Sequence, residues 1–271
     1  MLQGISGLKP CTSGSRPCKF LLPNARKKRY LHTAIRKTSE ASQHTPQVKI
    51  CGITSVQDAK LAASSGADML GMIMWQKAKR AVSASVARDI ASVAEGHGIQ
   101  SVGVFVDENA QQIQDMCGES GIQVAQLHGK GARHALCQLP ENLHVVYVMN
   151  SDDHGIIQTP SPAQLAEQSE QVLSRHVQWL LIDGQQGGSG QTLPWSKLKV
   201  PNNVAERGWL LAGGLNPDNV AEAVSELHPT VVDVSSGVTR DDGITKDKQK
   251  VAAFIAAVKQ GRPGPLSNNR F

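Results

Sequence analysis

The chain has 271 residues, 40% of them hydrophobic and 4% aromatic, long enough to bury a large core; an all-parallel β/α barrel commonly occupies about 250 residues as one domain. Its formal charge is +5, but residues 1–46 carry nine Lys or Arg against Glu40 alone, a net +8 that leaves −3 for the rest. A mildly acidic body with so few aromatic residues has neither the basic face nor the stacking platform of a single-strand binder, and no run of about 20 apolar residues could cross a bilayer, so neither nucleic acid nor a membrane is expected as a partner.

Taken in chain order, residues 1–46 come first: rich in Ser, Thr and Arg, nearly free of acid and without the apolar centre of a secretory signal, the composition of a disordered organelle transit peptide. A disordered basic tail, with Lys27-Lys28-Arg29 as part of a nuclear signal, is the competing reading. From residue 47 to 260 short β-branched runs alternate with stretches of helical apolar spacing. The runs are VKICGI, ADMLGMIM, SVGVFVD, QVAQLHG, HVVYVMN, WLLIDG, WLLAGG and VVDVSSG; the helical stretches are 55–65, 83–95, 109–119, 217–227 and 247–260. The long polar stretch 151–176 is expected to hold a further helix after a flexible loop, and residues 261–271 read as a disordered tail. Eight strand–helix units predict an α/β fold, a single (β/α)8 TIM barrel, because an open parallel sheet would leave edges exposed and no GxGxxG follows the first run.

In such a barrel the C-terminal strand ends form the active face. Gly187-Gly188-Ser189-Gly190, Gly213-Gly214 and Ser235-Ser236-Gly237 follow the last three strands, where glycines let backbone N–H groups approach a phosphate; each cluster alone would read as a tight turn. Cys51 ends the first strand on the same face as Lys49, by the two-residue period, and a thiol there can act as a base if a nearby cation retains thiolate. A small buried hydrophobe is the ordinary fate of a free cysteine, and is the reading for Cys117 and Cys137. Asp183 ends the sixth strand, nearly across the barrel, after the apolar run 179–182 that would dry its site and raise its pKa as a proton donor requires; a turn-capping Asp is the alternative. Arg80, after Lys77 and Lys79, has the fork to clamp a carboxylate or else belongs to a solvated basic loop. His128 on the fourth strand is a substrate contact or a structural histidine. Asp233 shares a face with Ser235 and either meets a sugar hydroxyl or neutralises Lys49. Five cysteines without CxxC spacing suggest a reducing compartment and no disulfide or zinc framework.

Taken together, KICGI with Cys51, GMIMW…KR with Arg80, VGVFV, VAQLHG, LIDGQQGGSG, LAGGLNP and DVSSGV resemble the phosphoribosylanthranilate isomerase family, from about Val48 to Lys259. The resemblance implies an Amadori rearrangement in tryptophan biosynthesis with no metal or organic cofactor. It makes Asp183 the general acid, Cys51 the general base and Arg80 the partner of the anthranilate carboxylate. Gln76 and Ala78 stand where a proline and a serine commonly precede that arginine, a departure that bears on its geometry. The leader with this pathway is similar to plastid-targeted plant or algal forms, mitochondrial delivery being the fallback. The expected partner is a small phosphorylated substrate, and the protein a monomer or homodimer. Two other readings are another sugar-phosphate barrel, such as a ribulose-phosphate epimerase, which would want paired histidines and carboxylates, and a non-catalytic phosphosugar-binding barrel, which would have lost its acid or base.

Overall fold

The computed structural model describes residues 45–152, 154–159, 177–184, 195–198, 200 and 205–260. Residues 1–44 of the expected leader, the run 187–190 and the tail 261–271 lie outside these. The strands are β1 (Gln47–Ile50), β2 (Met69–Ile73), β3 (Gln100–Phe105), β4 (Val124–Leu127), β5 (His144–Ser151), β6 (Ile157–Thr159), β7 (Trp179–Gly184), β8 (Trp209–Leu211) and β9 (Val231–Val234). The α-helices are α1 (Val56–Ser65), α2 (Ala84–Gly96), α3 (Ala110–Ser120), α4 (Lys130–His134), α5 (Val220–Leu227) and α6 (Lys248–Gln260).

Eight of these strands pair in parallel in the order β4-β3-β2-β1-β9-β8-β7-β5, and a β4–β5 pairing closes the ring into the expected barrel. Closure leaves no free edge, which is why four-residue strands suffice. Because both faces are buried, the strands read as continuous apolar runs, and alternation sorts them into two cores. Met69, Val102, Val124, Val146, Val148, Trp179, Leu181, Leu210, Ala212 and Val231 fill the lumen. Ile50, Leu70, Met72, Leu127, Leu180 and Val232 point outward into the layer formed with helix residues such as Ala59, Ile90, Ile113, Val224 and Phe254.

The helices begin where short polar side chains cap them. Ser55 accepts from the Asp58 N–H, Ser83 from that of Val86, and Asn109 forms a reciprocal box with Gln112. One segment departs from expectation. After β5 the chain turns back at once as β6, antiparallel to β5, because the Asp152 carboxylate accepts from the His154 and Ile156 N–H groups and from Gln158 Nε2. The further helix expected in 151–176 falls on residues outside the described set. Cys117 is buried on α3 as expected, whereas Cys137 lies exposed in the 3₁₀ turn Leu136–Gln138, the turn leaving its side chain off the core.

Candidate active site

The lumen changes character along its axis. Its lower layers are apolar; at the C-terminal ends the same inward positions carry Lys49, Gln126, Asp183 and Asp233. A cavity of about 340 Å³ opens there, lined by Cys51, Asp183, Asp233, Gln126 and His128, by Trp75 and Arg80 from the loop after β2, and by Gly213, Gly214, Ser235 and Ser236 from the loops after β8 and β9. A larger groove of about 790 Å³ sits at the other end, where Gln100, Gln123 and His144 begin their strands or lead into them. Among the described residues that line it, Cys117 has its thiol pushed up to about 12 by burial.

Cys51 is 7% exposed. Its N–H donates to the Val234 carbonyl, continuing the β1–β9 ladder, and its own carbonyl accepts from Ser235 Oγ at 3.1 Å and from Lys246 Nζ at 2.6 Å. The neighbouring strand makes room for the sulfur with Gly71: a Cβ there would stand 2.8 Å from Cys51 Sγ and 3.1 Å from Lys49 Nζ. Lys49, fully buried, pairs at 3.0 Å with Asp233, its register partner on β9. Of the two roles open to Asp233, neutralising Lys49 is realised, and its carboxylate also faces the cavity. Burial works against the Lys49 charge, but Asp233 and the Cys51 sulfur outweigh it and hold the ammonium above its ordinary range.

Asp183 stands on β7, separated from β1 by β9 and β8. It is 8% exposed, and burial raises its carboxyl to about 6; Asp233 adds to the rise, while the Gly184 N–H at 2.8 Å and Lys49 oppose it. That is the range of a carboxylic acid able to give and recover a proton near neutrality.

The loop after β2 brings Arg80 to the cavity. Gln76, standing in place of a proline, donates through Nε2 to the Met74 carbonyl at 3.1 Å and the Val82 carbonyl at 2.9 Å, closing the neck of the loop. Lys79 donates to the Asp242 carbonyl and Arg80 to that of Gly243, tying the loop to the segment after β9. Lys77 stays exposed beside Asp107 at 3.5 Å. Lys77 thus stays in solvent, while Arg80 lines the cavity. Trp75 is fixed by its Nε1 donating to Asp107 at 2.9 Å and, with Ile73, Val104 and Val106, gives the cavity an apolar wall beside the guanidinium.

His128 is pushed down to about 4, by burial first and then by Lys49 and Arg133, so its ring is neutral at pH 7. Its Nδ1 and Gln126 Oε1 are buried without a hydrogen-bond partner among the described residues. Such groups cost roughly 1–3 kcal/mol each unless something that enters the cavity satisfies them. Gly213 and Gly214 both adopt left-handed backbone, with φ of 89° and 66°, open only to glycine without strain. Ser235 and Ser236 line the same cavity, whereas Gly237 packs behind it, where a Cβ would meet the Leu215 carbonyl. Among the described residues no group of three or more His, Cys, Asp or Glu could hold a metal ion.

Sequence reasoning missed Gln126, Trp75, Gly71 and Lys246. Gln126 was legible, since it lies two residues before His128 in an otherwise apolar strand and so shares its face. The others follow from which strands and loops become neighbours.

A model of the family described as N-(5'phosphoribosyl)anthranilate (PRA) isomerase matches residues 48–257. The chain is 42% identical over 223 residues to N-(5'-phosphoribosyl)anthranilate isomerase 1, chloroplastic, of Arabidopsis thaliana, covering 82% of this chain and 78% of that protein. It superposes with a TM-score of 0.65 on the phosphoribosyl anthranilate isomerase of Thermotoga maritima, at 30% identity over 79% of this chain and 98% of the other. A related isomerase structure, in complex with reduced 1-(o-carboxyphenylamino)-1-deoxyribulose 5-phosphate, superposes with a TM-score of 0.60 at 28% identity, over 79% and 98% of the two chains. Matched across its barrel, and with a thiol, an acid and a guanidinium drawn onto one cavity, the chain belongs to the N-(5'-phosphoribosyl)anthranilate isomerase family.

Proposed function

We propose that the protein is the isomerase of tryptophan biosynthesis that converts N-(5-phosphoribosyl)anthranilate to 1-(2-carboxyphenylamino)-1-deoxyribulose 5-phosphate, with Asp183 as general acid and Cys51 as general base. The observation that carries this is that Cys51 and Asp183 line one 340 Å³ cavity from strands three places apart, so a ribose between them meets a thiol on one side and a carboxyl on the other. Asp183 donates its proton to the furanose ring oxygen; the ring opens to an iminium. Cys51 then takes the C2 proton, giving an enolamine that tautomerises to the ketone. With its carboxyl near 6, roughly a tenth of Asp183 carries a proton at pH 7, enough to serve as donor.

The remaining groups position the substrate. Arg80 takes the anthranilate carboxylate, with the ring against Trp75 and its apolar neighbours. The loops after β8 and β9, with the run 187–190, take the phosphate, so that binding energy at both ends holds the ribose over the acid and base. His128 and Gln126 accept from ribose hydroxyls; a neutral ring is what permits this of His128. Delivery to the plastid fits the leader composition and the chloroplastic label of the Arabidopsis relative. The test is an isomerase assay with substrate generated in situ, comparing the wild type with Cys51→Ala and Asp183→Asn. Loss of about a thousandfold in kcat is expected for each, and wild-type-like turnover in either removes the assigned chemistry.

A further inference from the structure

We infer that Lys246 is a positioning residue for the thiol: it clamps the Cys51 end of β1 against the Ser235 end of β9 and so fixes where the sulfur stands at the cavity. This rests on the reading of Cys51 as the base. Lys246 lies between the 3₁₀ turn Ser236–Val238 and α6, far in sequence from β1, and is fully buried. Its Nζ donates to the Cys51 carbonyl at 2.6 Å and to the Ser235 carbonyl at 3.0 Å, while Ser235 Oγ also donates to the Cys51 carbonyl. Three hydrogen bonds therefore converge on the main chain that carries the thiol and its neighbour across the ladder.

Lys246 contributes through where it stands. Among the described residues its Nζ donates to carbonyl oxygens and pairs with no carboxylate, and burial pushes its ammonium down to about 8. Lys246 is not among the residues lining the cavity, so its effect reaches the substrate only through the Cys51 and Ser235 main chain that it holds.

The experiment measures kcat, KM and melting temperature of the full chain with Lys246→Met, Lys246→Gln and Lys246→Arg. Methionine removes both donors and should lower kcat about tenfold while KM stays within about twofold. Glutamine keeps an N–H donor on a shorter side chain, should fall between, and also serves if the methionine variant does not fold. Arginine keeps both donors and should recover kcat to within about threefold of the wild type. A kcat within about twofold of the wild type in the methionine and glutamine variants, or a loss that arginine does not relieve, overturns the inference. Full turnover in Cys51→Ala would instead remove the base assignment and leave the Lys246 result standing, so the two failures are distinct.

Discussion

The two ends of the barrel treat the polar side chains of their strands in opposite ways. At the N-terminal end Asp68 accepts from the Val48 N–H at 2.8 Å, Gln178 Oε1 from the Val145 N–H at 2.6 Å, and Ser101 joins the Gly121 carbonyl and the Gln123 N–H. Each such side chain is matched to a main-chain group where the ladder begins, so its role is to finish the fold. At the C-terminal end Gln126 Oε1 and His128 Nδ1 find no partner among the described residues, and Asp183 is buried where its charge is opposed. One end of the same strands is built for stability. The other holds groups at a cost that no partner among the described residues offsets.

The sharpest way to break this comparison is a pair of substitutions two residues apart on one face of β7. Asp183→Asn should cost about a thousandfold in kcat/KM yet raise the melting temperature at pH 7. Its carboxyl is raised from the ordinary 3.8 to about 6 in the folded chain, so its favourable contribution is complete below pH 3.8 and is lost as pH rises through 6. The wild type then carries a penalty on the order of 3 kcal/mol at pH 7, and scanning fluorimetry should show the variant melting higher at pH 7 and level with the wild type near pH 3.5. A lower melting temperature at pH 7 would mean that Asp183 serves the fold. Leu181→Ala should do the reverse, losing about 3 kcal/mol in urea unfolding because it empties part of the lumen, with KM unchanged.

Smaller effects sharpen the account of the rim. Arg80→Met should raise KM about thirtyfold while leaving kcat within a few-fold, the signature of a charge-assisted contact made equally in ground and transition states. Both kcat and KM within about twofold of the wild type would take Arg80 off the substrate. Gln76→Ala, which removes both bonds across the neck of the Arg80 loop, should raise KM only about three- to fivefold with a melting temperature nearly unmoved. An effect as large as that of Arg80→Met would make the loop neck as important as the guanidinium it carries.

The amino-acid sequence by itself determined the eight strands and five of the helices, because apolar periodicity, Ser55, Ser83 and Asn109 caps and left-handed glycines are local signals that nothing in the tertiary structure overrides. It also determined the face of Cys51, since the two-residue period of a strand places Lys49 and Cys51 together once the strand is recognised. The choice between the two roles of Asp233 needed the β1–β9 register, which sets Lys49 opposite Asp233 across 184 residues. The hairpin after β5 depended on Asp152 finding three donors, a competition that composition does not rank. Lys246 is the extreme case: nothing local distinguishes a lysine in a polar loop, and only closure of the barrel, which brings the segment after β9 under the end of β1, turns it into a buried ammonium against the Cys51 carbonyl. Periodicity is written along the chain, whereas desolvation and charge pairing belong to neighbours that the chain acquires only by folding.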